Sequence, residues 1–377
     1  MSYTQVIGHA GMVFDHTRNA AYAKAIEKCV TEDSVVLDLG AGLGLHGLLA
    51  AKHGARMVYC VDSSPAVRVV AEVARDNGLA NIEVINDAIE DVDLPEPVDL
   101  IISVFTGNFL LSEDLLPSLF HARDRFLCDG GTLLPGAADM IVLPVSMPDY
   151  QEKWLTPWRD PRNTVASDFG LDYKAVGTYA DNELYYDDFT RVPFTPLGPE
   201  TVIHQLDFRT AQSADCDSRA TVTADTLGEL HGWLGWFNMH LADEQLSTSP
   251  RADKLHWSQV FLPANQPVSV EPGDALVLDL KRPVYGDWSW RSTPGSTATQ
   301  STFLARPHAH DDLMRQTPQY RPTLNRRGEI QAAVLASFNG NVPAASITEM
   351  LVRDFPDQFP DRQSASAYLQ VQVERFS

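Results

Sequence analysis

The sequence predicts an α/β chain: a Rossmann-like domain, then a β-barrel-like domain, then a small helical C-terminal extension. Three observations predict it. Residues 35–62 read VVLDLGAGLGLHGLLAAKHGARMVYCVD, which is an apolar run, a glycine loop, a helix-like stretch, a second apolar run and an acid. That is the layout of a nucleoside-binding βαβ unit. From Met140 to about Leu304 the pattern becomes short alternating runs separated by turn residues, as in an all-β barrel or sandwich. From about Tyr320 apolar residues return at helical spacing.

Taken in order, residues 20–30 predict a helix. Strands are expected near 35–39, 57–61, 82–86 and 98–103, with helices near 45–53 and 64–77. Ser112 is placed to cap a helix running to about Leu127. Gly130-Gly131 and Pro135-Gly136 read as breakers, so the first domain spans 1–136. The segments MIVLPV, VIHQLDF, ATVTA, LHGWLGWFNMHL, WSQVFL and ALVLDL read as strands of a second domain, 137–306. Within it, about 150–190 is rich in Tyr, Trp and Asp without alternation, the mark of an inserted arm. In the extension, 307–377, Ile330–Phe338 and Ile347–Phe355 have helical spacing, and Ser346-x-x-Glu349 reads as a capping box.

Composition narrows the function. A hydrophobic fraction of 44% is that of an ordinary globular protein. A net charge of −21 argues against a nucleic-acid partner. Four scattered cysteines without metal spacing point to reduced thiols in the cytoplasm. MSYTQVIGHAG lacks a basic region followed by an apolar core, so no signal peptide is expected. No apolar run is long enough to span a membrane. His308 and His310 form an H-x-H without acids at metal spacing, so no metal is expected there.

Glycines at 40, 42 and 44 let a backbone approach a ligand closely. Gly42-x-Gly44-x-x-Gly47 fits the dinucleotide pattern as spelled. Asp38, inside the strand and two residues before the first glycine, favours a different cofactor. A carboxylate there serves an ammonium and a sulfonium, not a pyrophosphate. Asp62, at the second strand's end, suits ribose hydroxyls better than the neighbouring Ser63 and Ser64.

The run from Val35 to Asp62 resembles the S-adenosylmethionine (SAM) motif of class I methyltransferases. Motif order over residues 5–300 resembles the protein arginine methyltransferase family. His9, Met12, Asp15, Arg18 and Tyr22 stand at the spacing of that family's N-terminal helix, and Asp38, Gly40, Gly42 and Gly44 match its SAM loop. AIEDVDLP, with Ile89 and Glu90, matches the adenine segment, VDLIISVFTGNFLLSEDLL the substrate loop, and KLHWSQ the Thr-His-Trp loop at His256 and Trp257, with Leu255 for threonine. The resemblance implies SAM as cofactor, with Arg18 on its carboxylate, Asp62 on the ribose and Glu90 on the adenine. It also implies an Asp15–His256 pair at the acceptor mouth. The segment FGLD at Phe169–Asp172, with Trp154 and Trp158, falls where the family carries its dimerisation arm, which implies a homodimer.

One departure bears on the acceptor. The family's substrate loop has two glutamates that hold a guanidinium. Here the second is Glu113, and Val104 stands in place of the first, followed by Phe105 rather than tryptophan. A planar guanidinium relies on paired acceptors, and Glu113 alone cannot clamp both edges. The expected activity is N-methylation of a peptide, protein or amino-acid-like acceptor, with Glu113 orienting it and His256 with Asp15 relaying the proton. Arginine methylation with another acid supplied, and a silent SAM-binding protein, are the alternatives. Glu113 also suits the first turn of a helix, where an acid favours the dipole. The C-terminal helices resemble small peptide-binding domains and also suit a packing extension.

Overall fold

The computed structural model describes residues 5–160, 162, 164–296 and 298–377. Contacts divide the chain into two units, Met1–Pro307 and His308–Ser377.

The first unit opens with two helices, α1 (Ala10–Val13) and α2 (His16–Cys29). A five-stranded parallel sheet follows, built from β1 (Val35–Leu39), β2 (Met57–Val61), β3 (Ile82–Ile85), β4 (Val98–Ser103) and β5 (Leu127–Leu134) in the order β3-β2-β1-β4-β5. β1 is buried at every position. A central parallel strand covered on both faces is a nearly unbroken apolar run, and Asp38 is the exception within it. Helices α3 (Leu45–Lys52), α4 (Val69–Asp76) and α5 (Leu116–Phe126) connect the strands.

Two boundaries differ from expectation. α5 begins at Leu116, with Pro117 in its first turn, and Ser112 does not cap it. The Ser112 hydroxyl instead lies 2.7 Å from the Tyr186 hydroxyl, far along the chain. Nor does Gly130-Gly131 break the chain. β5 passes through it as an irregularity, pairing Leu127 with Val98 and Thr132 with Leu100, with Gly130 at φ +79°. A bulge absorbs the extra residues that an unbroken ladder could not.

The antiparallel part begins with β6 (Ala137–Ser146). The arm follows as short helices, α6 (Pro148–Trp154), α7 (Thr156–Arg159), α8 (Thr164–Phe169) and α9 (Gly177–Ala180). One sheet orders β7 (Tyr185–Asp187), β13 (Gln259–Val270), β11 (Gly228–Leu241), β6 and β8 (Thr195–Pro196), with β9 (Thr201–Asp207) on β6 and β12 (Glu244–Ser247) on β11. A second orders β10 (Cys216–Thr223), β14 (Ala275–Arg282), β15 (Ser289–Thr293) and β16 (Gln300–Ser301). One continuous apolar core runs from the parallel sheet into these strands. Buried Arg123 on α5 donates to the carbonyls of Phe208 and Ala211 at 2.6 and 2.7 Å, tying the parts together.

The second unit contains α10 (His310–Arg315), α11 (Arg326–Ala336), α12 (Ala344–Asp354) and α13 (Arg362–Phe376). Its core includes Val334, Leu351, Phe355 and Leu369. α12 starts after Pro343, so Ser346 lies inside its first turn and forms no capping box.

Candidate active site

A cavity of about 840 Å³ opens at the carboxyl ends of β1, β2 and β4. In parallel α/β sheets that is where ligands bind. Of the residues singled out in the sequence, Met12, Arg18, Gly40, Gly42, Asp62, Ser63, Ile89, Glu90, Glu113 and His256 line it. Asp38, Gly44 and Asp15 stand behind the wall.

The glycine loop is a cradle that side chains would fill. Gly40, Gly42 and Gly44 have φ of +71°, +55° and +74°, a region that L residues rarely adopt. A Cβ on Gly40 would lie 2.0 Å from the Phe105 ring, and one on Gly42 would lie 2.8 Å from His9 Nδ1. Asp62 receives the Gly42 N–H on Oδ2 at 2.8 Å and the Ser64 N–H on Oδ1 at 2.7 Å. Each carboxylate oxygen keeps a further lone-pair direction, so Asp62 can accept from ribose hydroxyls without losing the loop. Glu90 receives the Ser118 hydroxyl at 2.6 Å.

Asp38 is nearly fully buried and accepts the Gly47 N–H at 2.7 Å. Burial pushes its carboxyl up to about 7, against the Gly47 hydrogen bond. It therefore braces the turn into α3 from beneath. Arg18 is buried on the cavity wall, and its Nη2 donates to the Met12 carbonyl at 2.5 Å and to Asn19 Oδ1 at 3.0 Å. Its Nη1 has no protein partner among the described residues, which leaves a fork edge for a carboxylate.

His46 was not anticipated, although it lies inside the glycine segment. Its ring stacks on Tyr22 at 4.4 Å, and Nε2 lies 3.2 Å from Asn19 Oδ1. Burial lowers its pKa to about 3, so it stays neutral beside Arg18. Nothing in the local pattern separates such a histidine from a helix-surface one.

Beside the cavity, Asp15 and His256 are brought together. Asp15 Oδ2 accepts from the backbone N–H of His256 at 2.9 Å and lies 3.3 Å from its Nδ1. Oδ1 accepts the Arg18 N–H at 3.0 Å and caps α2. Burial, the larger effect, holds the His256 pKa below its ordinary value although Asp15 raises it. The imidazole is neutral near pH 7, with Nδ1–H on Asp15 and Nε2 unbonded among the described residues.

Glu113 lies three residues before α5, so the helix-dipole role does not apply. Its carboxylate makes no hydrogen bond among the described residues, and desolvation raises its pKa. Val104 lines the same cavity. The other carboxylates on the wall, among the described residues, are Asp62, Asp87 and Glu90. The loop is fixed from the barrel: Trp257 Nε1 donates to the Thr106 carbonyl at 2.8 Å, and Ser258 N–H to Asn108 Oδ1 at 2.9 Å.

Strand order, glycine cradle and the acid that follows β2, Asp62, together define a class I SAM-dependent methyltransferase. A methyltransferase-domain model matches residues 36–131, and the arginine methyltransferase oligomerization subdomain matches 136–283. The chain is 30% identical over 293 residues to protein arginine N-methyltransferase 6 of Xenopus laevis, covering 74% of this chain and 84% of that one. It is 32% identical over 282 residues to the Danio rerio protein of the same name, covering 71% and 79%. Among solved structures it resembles the Trypanosoma brucei PRMT1 enzyme-prozyme heterotetrameric complex with AdoHcy, with a TM-score of 0.72, 25% identity and coverage of 80% and 99%. It also resembles Arabidopsis thaliana protein arginine methyltransferase 10, with a TM-score of 0.65, 25% identity and coverage of 79% and 98%. The chain belongs to the protein arginine methyltransferase family.

Proposed function

We propose that the chain methylates a nitrogen on a peptide, protein or amino-acid-like acceptor, with Glu113 orienting that nitrogen. The observation that carries this is the Glu113 carboxylate, on the cavity wall and without a hydrogen bond among the described residues, where Val104 offers no second acceptor. SAM supplies an activated methyl group. The protein therefore positions the nucleophile and excludes water. Arg18 holds the cofactor's carboxylate, Asp62 its ribose and Glu90 its adenine. Met12, Ser63 and Ile89 complete the walls. A protonated amine must lose a proton before it attacks, and the neutral His256, oriented by Asp15, accepts it at Nε2.

A homodimer belongs to the same reading. The arm exposes Phe169, Leu171 and Tyr173, and the matched subdomain is described as an oligomerization unit. The four cysteines are free, which suits a cytoplasmic protein. Among the described residues, no helix is long and apolar enough to cross a membrane.

The test is incubation with labelled SAM and separate lysine, N-terminal-amine and arginine-glycine peptides. Methyl-amine products are expected. Methylarginine as the main product would overturn the acceptor assignment. Cofactor binding without transfer to any peptide would overturn the catalytic reading.

A further inference from the structure

The loop that presents Glu113 adopts a backbone its residues disfavour. Phe109, Leu110 and Asp114 have φ of +47°, +65° and +52°. None is glycine, and a leucine in the left-handed region persists only where its surroundings over-determine it. Such conformations cluster where geometry must be held for function. Glu113 sits inside this stretch, and its carboxylate has no hydrogen bond among the described residues to fix it. Its placement is left to the backbone.

The backbone is held from the barrel. Arg282, at the end of β14, is buried and grips Asp114 with a fork: Nη1 to Oδ1 at 2.7 Å and Nη2 to Oδ2 at 2.6 Å. Asp114 Oδ1 also accepts the Tyr285 N–H at 2.9 Å. Trp288 lies under the guanidinium at 5.4 Å and against the Phe109 ring at 5.3 Å. One Arg282–Trp288 unit thus touches two of the three strained positions. Arg282 Nε is buried without a partner among the described residues, so this cation depends on Asp114 for its compensation.

We propose that Asp114, Arg282 and Trp288 form a clamp that positions Glu113 for the acceptor. The clamp rests on the reading of Glu113 as the acceptor-orienting group. These three are positioning residues, since none lines the cavity. The fork matters because a bidentate pair fixes an angle as well as a distance, which a lysine cannot do.

Asp114→Asn alone would leave a buried cation unpaired and could unfold the protein. The test therefore compares Arg282→Lys, Arg282→Met and the double variant Asp114→Asn/Arg282→Met with Glu113→Gln. Three quantities are measured: methyl transfer to the lysine peptide, S-adenosylhomocysteine affinity by calorimetry, and amide exchange over residues 106–115. The clamp predicts turnover lowered by about 10- to 100-fold in Arg282→Met. The double variant should be no worse, because the two residues act as a unit. Arg282→Lys should fall between. S-adenosylhomocysteine affinity should stay within about twofold in all of them, while exchange over 106–115 accelerates. A merely structural role would lower cofactor affinity together with turnover. Wild-type turnover and exchange in the double variant, with Glu113→Gln inactive, would overturn the clamp alone. Full turnover in Glu113→Gln would overturn the reading of Glu113, and the clamp with it.

Discussion

Asp15 accepts from His256 twice, through the backbone N–H at 2.9 Å and the imidazole Nδ1 at 3.3 Å. The same carboxylate caps α2 through the Arg18 N–H. One acid thus fastens the N-terminal helix to a loop of the barrel, across the cavity mouth.

Asp15→Asn should shift the pH–rate profile. Asp15 raises the His256 pKa against burial, which is the larger effect and lowers it. Removing the charge lets that pKa fall further, so the acid limb should move to lower pH while the plateau drops. Asp15→Ala should also cost about 1 kcal/mol of stability from the lost cap. Rates at a series of pH values and thermal melting check both.

Asp38→Asn should change how stability depends on pH. The folded carboxyl is raised to about 7 by burial, above its unfolded value near 3.9. The stabilisation that comes from binding this proton is fully present below the unfolded value. It is lost as pH rises through about 7. Asparagine can still accept the Gly47 N–H and does not ionise. Relative to the variant, the wild type should lose stability from pH 5 to pH 8, by on the order of a few kcal/mol. Denaturant titrations at the two pH values measure the difference.

Gly40→Ala should abolish cofactor binding and lower the melting temperature. Its Cβ would meet Phe105 at 2.0 Å on a backbone of φ +71°. Gly42→Ala should be milder, because its Cβ comes no closer than 2.8 Å to the His9 ring. Calorimetric titration of S-adenosylhomocysteine ranks the two.

The same residues show what local pattern carries. The parallel strands and the glycine loop were legible because apolar runs and glycines report directly on burial and backbone freedom. Asp38 was legible as important but not as lying beneath the loop, since a strand position does not say what covers it. Ser112 looked like a cap and instead meets Tyr186, a partner no local rule can supply. His46 is set by Tyr22 and Asn19 on another helix. For His256 burial outweighs Asp15 in setting the pKa, a balance that depends on tertiary packing. The positive φ at Leu110 has no sequence signature.

Val104→Glu should increase methylarginine formation from an arginine-glycine peptide, on the order of tenfold or more, by supplying a second acceptor for the guanidinium. Transfer to the lysine peptide should not rise with it. Mass spectrometry of both products after one incubation checks the ratio.

The central claim is that Glu113 orients the acceptor and does not hold the cofactor. Its most direct test is labelled methyl transfer to the lysine peptide by Glu113→Gln, with S-adenosylhomocysteine affinity measured on the same sample. The account predicts turnover lowered by about a hundredfold or more with cofactor affinity unchanged. Unchanged turnover, or turnover and affinity lost together, would contradict it.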